Sequence, residues 1–178
     1  MATVPVEMTA VAGAVLTAAQ WNSNVRDAIN FIIAPPLALL RQTVSQSIAN
    51  GAWVPVNLDT EDLDRDNAHS TVTNTSRYTA QTAGYYSYQG CAHHGINTTG
   101  IRSAVWRPNG GAATTYKNKL QVPASPAGTT TAVLTHATFF QNVGDYVELM
   151  CFQNSGGALS LYVTDEGNPS MNALWISS

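Results

Sequence analysis

Five of the 11 acidic residues, Asp59, Glu61, Asp62, Asp64 and Asp66, crowd one short stretch. Asp62-Leu63-Asp64-Arg65-Asp66 spaces three carboxylates by two, a pattern that can chelate Ca²⁺. An EF-hand loop would need Gly where Asn67 stands and Glu where Thr73 stands, so that form of site is excluded. A solvated acidic loop over 59–67 and a cation site of another kind are the two readings left. His93-His94, with His69 and His136 elsewhere, invite a metal or a general base. Adjacent strand residues point to opposite faces, so His93 and His94 cannot easily share one ion within a chain. Three copies of one histidine around a three-fold axis could still meet at one. No G-x-S-x-G elbow, HExxH or Gly-rich phosphate loop occurs, and neither catalysis nor a cofactor is expected.

Cys91 and Cys151 lie far apart and form no CxxC pair, which predicts buried free thiols, with a disulfide as the alternative. Tyr85, Tyr86, Tyr88, Tyr116, Trp106 and Trp175 could build a carbohydrate platform. Core and interface packing is the competing use of the same rings. A ligand would meet the loops richest in polar groups, 94–100, 109–115, 123–129 and 154–157.

These residues sit in a chain of unusual polarity. Of 178 residues only 11% are charged, with 8 Lys+Arg against 11 Asp+Glu, while Ser, Thr, Asn and Gln fill 55 positions. A net charge of -3 provides no basic field, so neither nucleic acid nor a membrane surface is an expected partner. No run approaches the roughly 18 consecutive apolar residues of a membrane span. Glu7 stands where a signal peptide would carry Lys or Arg, and Gly13 breaks the apolar stretch near it, so synthesis in a host cytoplasm without secretion is expected.

Three segments follow: an arm and capped helix over 1–36, a connector over 37–50, and a β-domain over 51–178. Residues 1–16 read as an extended arm. Thr17-Ala18-Ala19-Gln20 is a capping box that starts a helix, with Leu16 and Trp21 placed as a hydrophobic staple. Trp21, Val25, Ala28, Ile29 and Ile32 form one apolar stripe along it, and Pro35-Pro36 end it. So short a helix is marginal alone, and its stripe needs a partner: the rest of its own chain, or sister copies packed about a symmetry axis.

From Arg41 the period becomes two. Strands are expected over 52–58, 77–79, 84–92, 101–107, 114–122, 130–140, 146–152, 159–164 and 172–176. Eight or more short antiparallel strands indicate a mainly β fold, a two-sheet jelly roll or sandwich. Two strands are greasy on both faces. In 146–152, Val147, Leu149 and Cys151 oppose Tyr146, Met150 and Phe152; in 171–176, Met171, Ala173 and Trp175 oppose Leu174 and Ile176. One face of an ordinary sandwich strand is polar. Tyr86, Tyr88, Tyr146, Met150, Phe152, Leu174 and Ile176 are therefore candidates for an oligomer interface or for the core.

Trp53-Val54-Pro55-Val56, then Tyr78-Thr79-Ala80-Gln81-Thr82-Ala83-Gly84-Tyr85-Tyr86-Ser87-Tyr88, Arg102 before Asn109-Gly110, and Val143-Gly144-Asp145-Tyr146-Val147-Glu148-Leu149 together resemble complement globular-head and tumour-necrosis-factor-like jelly rolls. The resemblance implies a tight homotrimer. The segment from Gly13 to Phe31 resembles the opening of minor tail proteins and related virion appendages of actinobacterial phages, in which the leading segment docks on the particle and the β-domain faces outward. The resemblance supplies no catalytic residues.

The expected function is thus a non-enzymatic virion structural protein. It would be a homotrimeric tail or baseplate appendage that meets other virion proteins through residues 1–36 and a host cell-surface glycan or protein through its β-domain. A capsid decoration or head-fibre protein, and a lectin-like carbohydrate-binding adhesin, are the alternatives.

Overall fold

The structure, a computed structural model, describes residues 4, 5, 9, 12–164 and 167–178. Positions 1–3, 6–8, 10 and 11 of the expected arm lie outside that set. Thr17 caps the helical segment: its hydroxyl accepts from the Gln20 amide at 3.2 Å, and the Gln20 side-chain oxygen accepts from the Thr17 amide at 2.9 Å. Beyond the cap, the expected single α-helix is broken into α1 (Ala18–Trp21), a π-helical turn Asn22–Arg26, and α2 (Asp27–Ile33). The Ser23 hydroxyl and the Asn24 side-chain amide both donate to the Gln20 carbonyl, at 3.3 and 2.9 Å. That carbonyl is the one the Asn24 backbone amide would use in an α-helix, so side chains compete with the ladder at the wide turn.

Among the described residues twelve strands follow: β1 (Leu37–Arg41), β2 (Ser47–Ile48), β3 (Trp53–Pro55), β4 (Thr60–Asp64), β5 (Arg77–Thr79), β6 (Gly84–His94), β7 (Ile101–Pro108), β8 (Lys117–Pro123), β9 (Thr131–Gln141), β10 (Tyr146–Gln153), β11 (Leu159–Ser160) and β12 (Ser170–Ser177). One sheet runs β4-β1-β12-β6-β9; the other runs β3-β10-β7-β8, with β5 also on β10, and β2 pairs with β11. All pairings are antiparallel. This is the expected two-sheet jelly roll.

Several boundaries differ from the sequence reading: the strands expected over 52–58, 114–122 and 159–164 are Trp53–Pro55, Lys117–Pro123 and Leu159–Ser160. Residues 37–50 are not a free connector: β1 lies inside the first sheet, between β12 and β4. Leu37-Ala38-Leu39-Leu40 is apolar throughout, so its alternation appears only in burial, with Ala38 and Leu40 inward and fully buried. The acidic stretch is not wholly a loop, since Thr60–Asp64 forms the sheet-edge strand β4. Carboxylates are poor strand formers, but at an edge they are tolerated and discourage further pairing.

The core is aromatic. Tyr86 and Tyr88 project from β6, both fully buried and stacked at 5.9 Å, and Tyr88 meets Trp106 of β7 at 5.5 Å across the sandwich. Tyr78 packs edge-on to both tyrosines. The hydroxyls of Tyr86 and Tyr88 donate to the Thr82 carbonyl at 2.7 Å and to Gln141 Oε1 at 2.8 Å. Burial pushes the Tyr86 phenol up to about 12, so both rings serve as neutral packing groups with satisfied tips.

Gly90 makes the Trp106 position possible. A Cβ there would lie 2.9 Å from two atoms of the indole and 3.0 Å from Leu149. Gly90→Ala should therefore lower stability by about 1–3 kcal/mol through overpacking, read as a shifted urea midpoint with an unchanged slope.

Candidate functional site

The groups with chemical potential are largely engaged within the chain. Asp59 accepts from the Thr43 amide and hydroxyl at 2.7 and 2.6 Å and from the Val44 amide at 2.8 Å. Burial pushes its carboxyl up, but the bonds from Thr43, Val44 and Thr60 outweigh that and hold it below the usual carboxylate range. Asp62 pairs with Arg41 at 2.8 Å and Glu61 with His69 at 2.9 Å, while Asp64 accepts from the His69 amide at 2.9 Å. The acidic stretch thus acts as a clasp on β1 and the following turns. Among the described residues no three His, Cys, Asp or Glu side chains are grouped as a metal ion would require.

His93 and His94 point to opposite faces, as strand geometry demands. His93 Nδ1 faces the Gly167 carbonyl at 3.1 Å and Nε2 the Thr130 hydroxyl at 2.9 Å. His94 is fully buried, and neither of its ring nitrogens has a hydrogen-bond partner. Desolvation, reinforced by the nearby Arg102 and His93, lowers its pKa to about 4. Both cysteines are free, so no disulfide joins them. Cys151 is fully buried, whereas Cys91, expected inside, is only half-buried, because it sits on the outward face of β6.

The six rings do not come together as a carbohydrate platform, and three of them take the competing use, core packing. Tyr86, Tyr88 and Trp106 are core residues, and the remaining rings lie in separate places. Tyr85 pairs with Phe140 at 5.4 Å, Tyr116 with Trp53 at 5.9 Å, and Trp175 with Phe31 at 4.7 Å.

The two greasy strands resolve differently. Met150 and Val105 pair across β10 and β7, both buried at 1% exposure, and Tyr86, Tyr88 and Met150 are thus enclosed by their own chain. Phe152 is half-buried against Trp53 at 5.3 Å, over which Lys119 lies at 5.7 Å from the ring centre. Tyr146 is half-buried with the Arg77 guanidinium 4.1 Å from its ring centre. The outward face of the first sheet has no such cover. Tyr85 and Phe140 on paired β6 and β9, and Leu174 and Ile176 on β12, are 45, 46, 38 and 47% exposed.

The helical stripe is likewise open. Trp21, Ile29 and Ile32 are 54, 49 and 76% exposed, and Val25 and Ala28 are half-buried. Phe31, off the expected stripe, is the buried residue of α2 and packs edge-on to Trp175. The wide π turn alters the angular spacing that an unbroken 3.6-residue period assumes. Leu16 and Trp21, the expected staple, are both exposed.

No family model matches this chain, and no curated protein does. Solved structures do. The globular domain of zebrafish complement 1qA superposes with a TM-score of 0.54 at 13% identity, covering 79% of this chain and 97% of that one. Murine APRIL gives 0.57 at 11% identity, with 78 and 98% covered. Eiger TNF from S. frugiperda gives 0.55 at 14% identity, with 80 and 94% covered. The fold is the complement-head and TNF-like jelly roll. At such low identity the likeness concerns fold alone.

Within this jelly roll His94 sets an acid limit. Unfolded, an imidazole binds a proton below about pH 6.5, but the folded site resists protonation until about pH 4. Its contribution is therefore complete above the unfolded value and declines as pH falls through this window, by about 3 kcal/mol in total. Urea denaturation between pH 7 and 4 should show that loss, and His94→Leu should flatten it.

Proposed function

We propose that this chain is a non-enzymatic, homotrimeric structural and binding protein of a virion. Residues 1–36 would anchor it to other virion proteins, and the jelly roll would face a host cell-surface glycan or protein. The observation that carries the trimer is the uncovered row Tyr85, Phe140, Leu174 and Ile176 on the first sheet, beside a second sheet whose outward residues Met150 and Val105 are buried and Tyr146 and Phe152 half-buried. Burying apolar surface is worth about 25 cal/mol per Å², and a three-fold arrangement of copies would hide this face on every protomer. The two jelly-roll families that the sequence resembles form homotrimers, which supports the same arrangement.

Two observations support the anchor. The helical segment 18–33 carries a stripe that its own β-domain leaves largely exposed, and its only buried side chain among the described residues is Phe31. The sequence from Gly13 to Phe31 resembles the particle-docking end of phage minor tail proteins. Labelling the protein on particles would distinguish a tail site from a capsid decoration or head-fibre site.

Light scattering at micromolar concentration should return three times the 18.9 kDa chain mass. Leu174→Asp with Ile176→Asp should return one chain mass with an unchanged far-ultraviolet circular dichroism spectrum. A monomeric wild-type chain would overturn the trimer.

A further inference from the structure

Away from the apolar face, a cleft of about 420 Å³ opens between the 67–81 segment and the turn before β10. That size falls within the range of small-molecule sites. Asn67, Ser70, Thr73, Asn74 and Gln81 line it with neutral hydrogen-bonding groups, and no Asp or Glu is among its described lining residues. Its one formal charge is Arg77. His69 borders it too, but its ring nitrogens face Glu61 and the Thr75 carbonyl at 2.9 and 3.0 Å.

Arg77 is held in place from behind. Its guanidinium lies 4.1 Å from the Tyr146 ring centre, and its Nε faces Glu148 Oε1 at 3.4 Å. That carboxylate is already committed: Ser76 donates to Oε1 at 2.9 Å, and Arg107 donates to Oε2 at 2.6 and 2.9 Å. One buried carboxylate thus serves two arginines, which leaves the cluster one positive charge in excess. Among the described residues neither terminal Nη of Arg77 has a hydrogen-bond acceptor, and the side chain is 35% exposed. Such an anchored fork with both prongs free matches the planar, bidentate geometry of a carboxylate.

We propose that this cleft binds a sugar residue bearing a carboxylate, a uronic or sialic type of acid. Arg77 would take the acid group, and the Asn, Ser, Thr and Gln side chains would take the hydroxyls. The assignment rests on the surface-binding role proposed above and gives it a ligand class. The cleft is complete within one protomer, so its test gives an answer whether light scattering finds three chains or one.

The full-length protein is titrated with methyl glucuronide and N-acetylneuraminic acid, with methyl glucoside and acetate as controls, and followed by amide NMR shifts. At least one acidic sugar should give saturable shifts at Asn74 and Gly144, and both controls should bind at least about tenfold more weakly, the effect of losing one charge-assisted pair. Arg77→Gln should weaken acidic-sugar binding by at least about tenfold. Ser70→Ala with Thr73→Val, which leaves the Glu148 cluster untouched, should weaken it several-fold with an unchanged near-ultraviolet spectrum. Equal binding of the glucoside would overturn the role of the carboxylate, and equal binding of acetate would overturn the sugar. No saturable shift with any compound would overturn the site.

Discussion

The two sheets meet at the centre of the core through Tyr88 of β6 and Trp106 of β7, whose rings lie 5.5 Å apart, with Gly90 leaving room for the indole. Around that contact Tyr78, Tyr86 and Leu149 fill the interior, and the phenol hydroxyls find acceptors at the rim. An interior built from such large rings has little capacity to rearrange, because dense packing transmits any added volume to its neighbours. The register of β6 against β9 and β12 follows. A slip by one residue would turn Tyr86 and Tyr88 outward and Tyr85, Gln89 and Cys91 inward.

That same register determines what the outside looks like. On the second sheet the outward residues of β10 are sheltered locally by Trp53, Arg77, Arg107 and Phe152, or are salt-bridged, as Glu148 is. On the first sheet the outward row contains Tyr85, Phe140, Leu174 and Ile176 with no local cover. The asymmetry gives the molecule two different exteriors, one with an uncovered apolar row, the other with its apolar residues partly covered and the Arg77 cleft beside them. The proposed trimer and the proposed ligand would therefore use separate surfaces.

Charge is used sparingly and mostly to fasten loops. The carboxylates of 59–66 fasten the segment around β1 and β4, and Glu148 ties β5 to β7 through Arg77 and Arg107. Asp145 joins the turn before β10 to Asn109 at 3.0 Å. What looks in the sequence like a cation-binding motif is spent on backbone amides, Arg41 and His69. A charge run read along the chain carries no information about which donors tertiary folding brings to it.

Local chemistry written in consecutive residues was readable from the chain itself. The Thr17–Gln20 capping box, the proline stop at Pro35, the Asn109-Gly110 and Gly144-Asp145 turns and the alternation of β6 and β9 all depend on neighbours a few positions away, so they survive in one dimension. The mainly β, two-sheet jelly roll could be inferred from them. Placing β1 inside the sheet, enclosing Met150 while exposing Leu174, and assembling the Arg77 cleft from segments about 70 positions apart were decided only by the tertiary structure. Leu40 and Leu174 are equally apolar as letters; which of them meets water depends on the strand laid across it, and that strand comes from elsewhere in the chain.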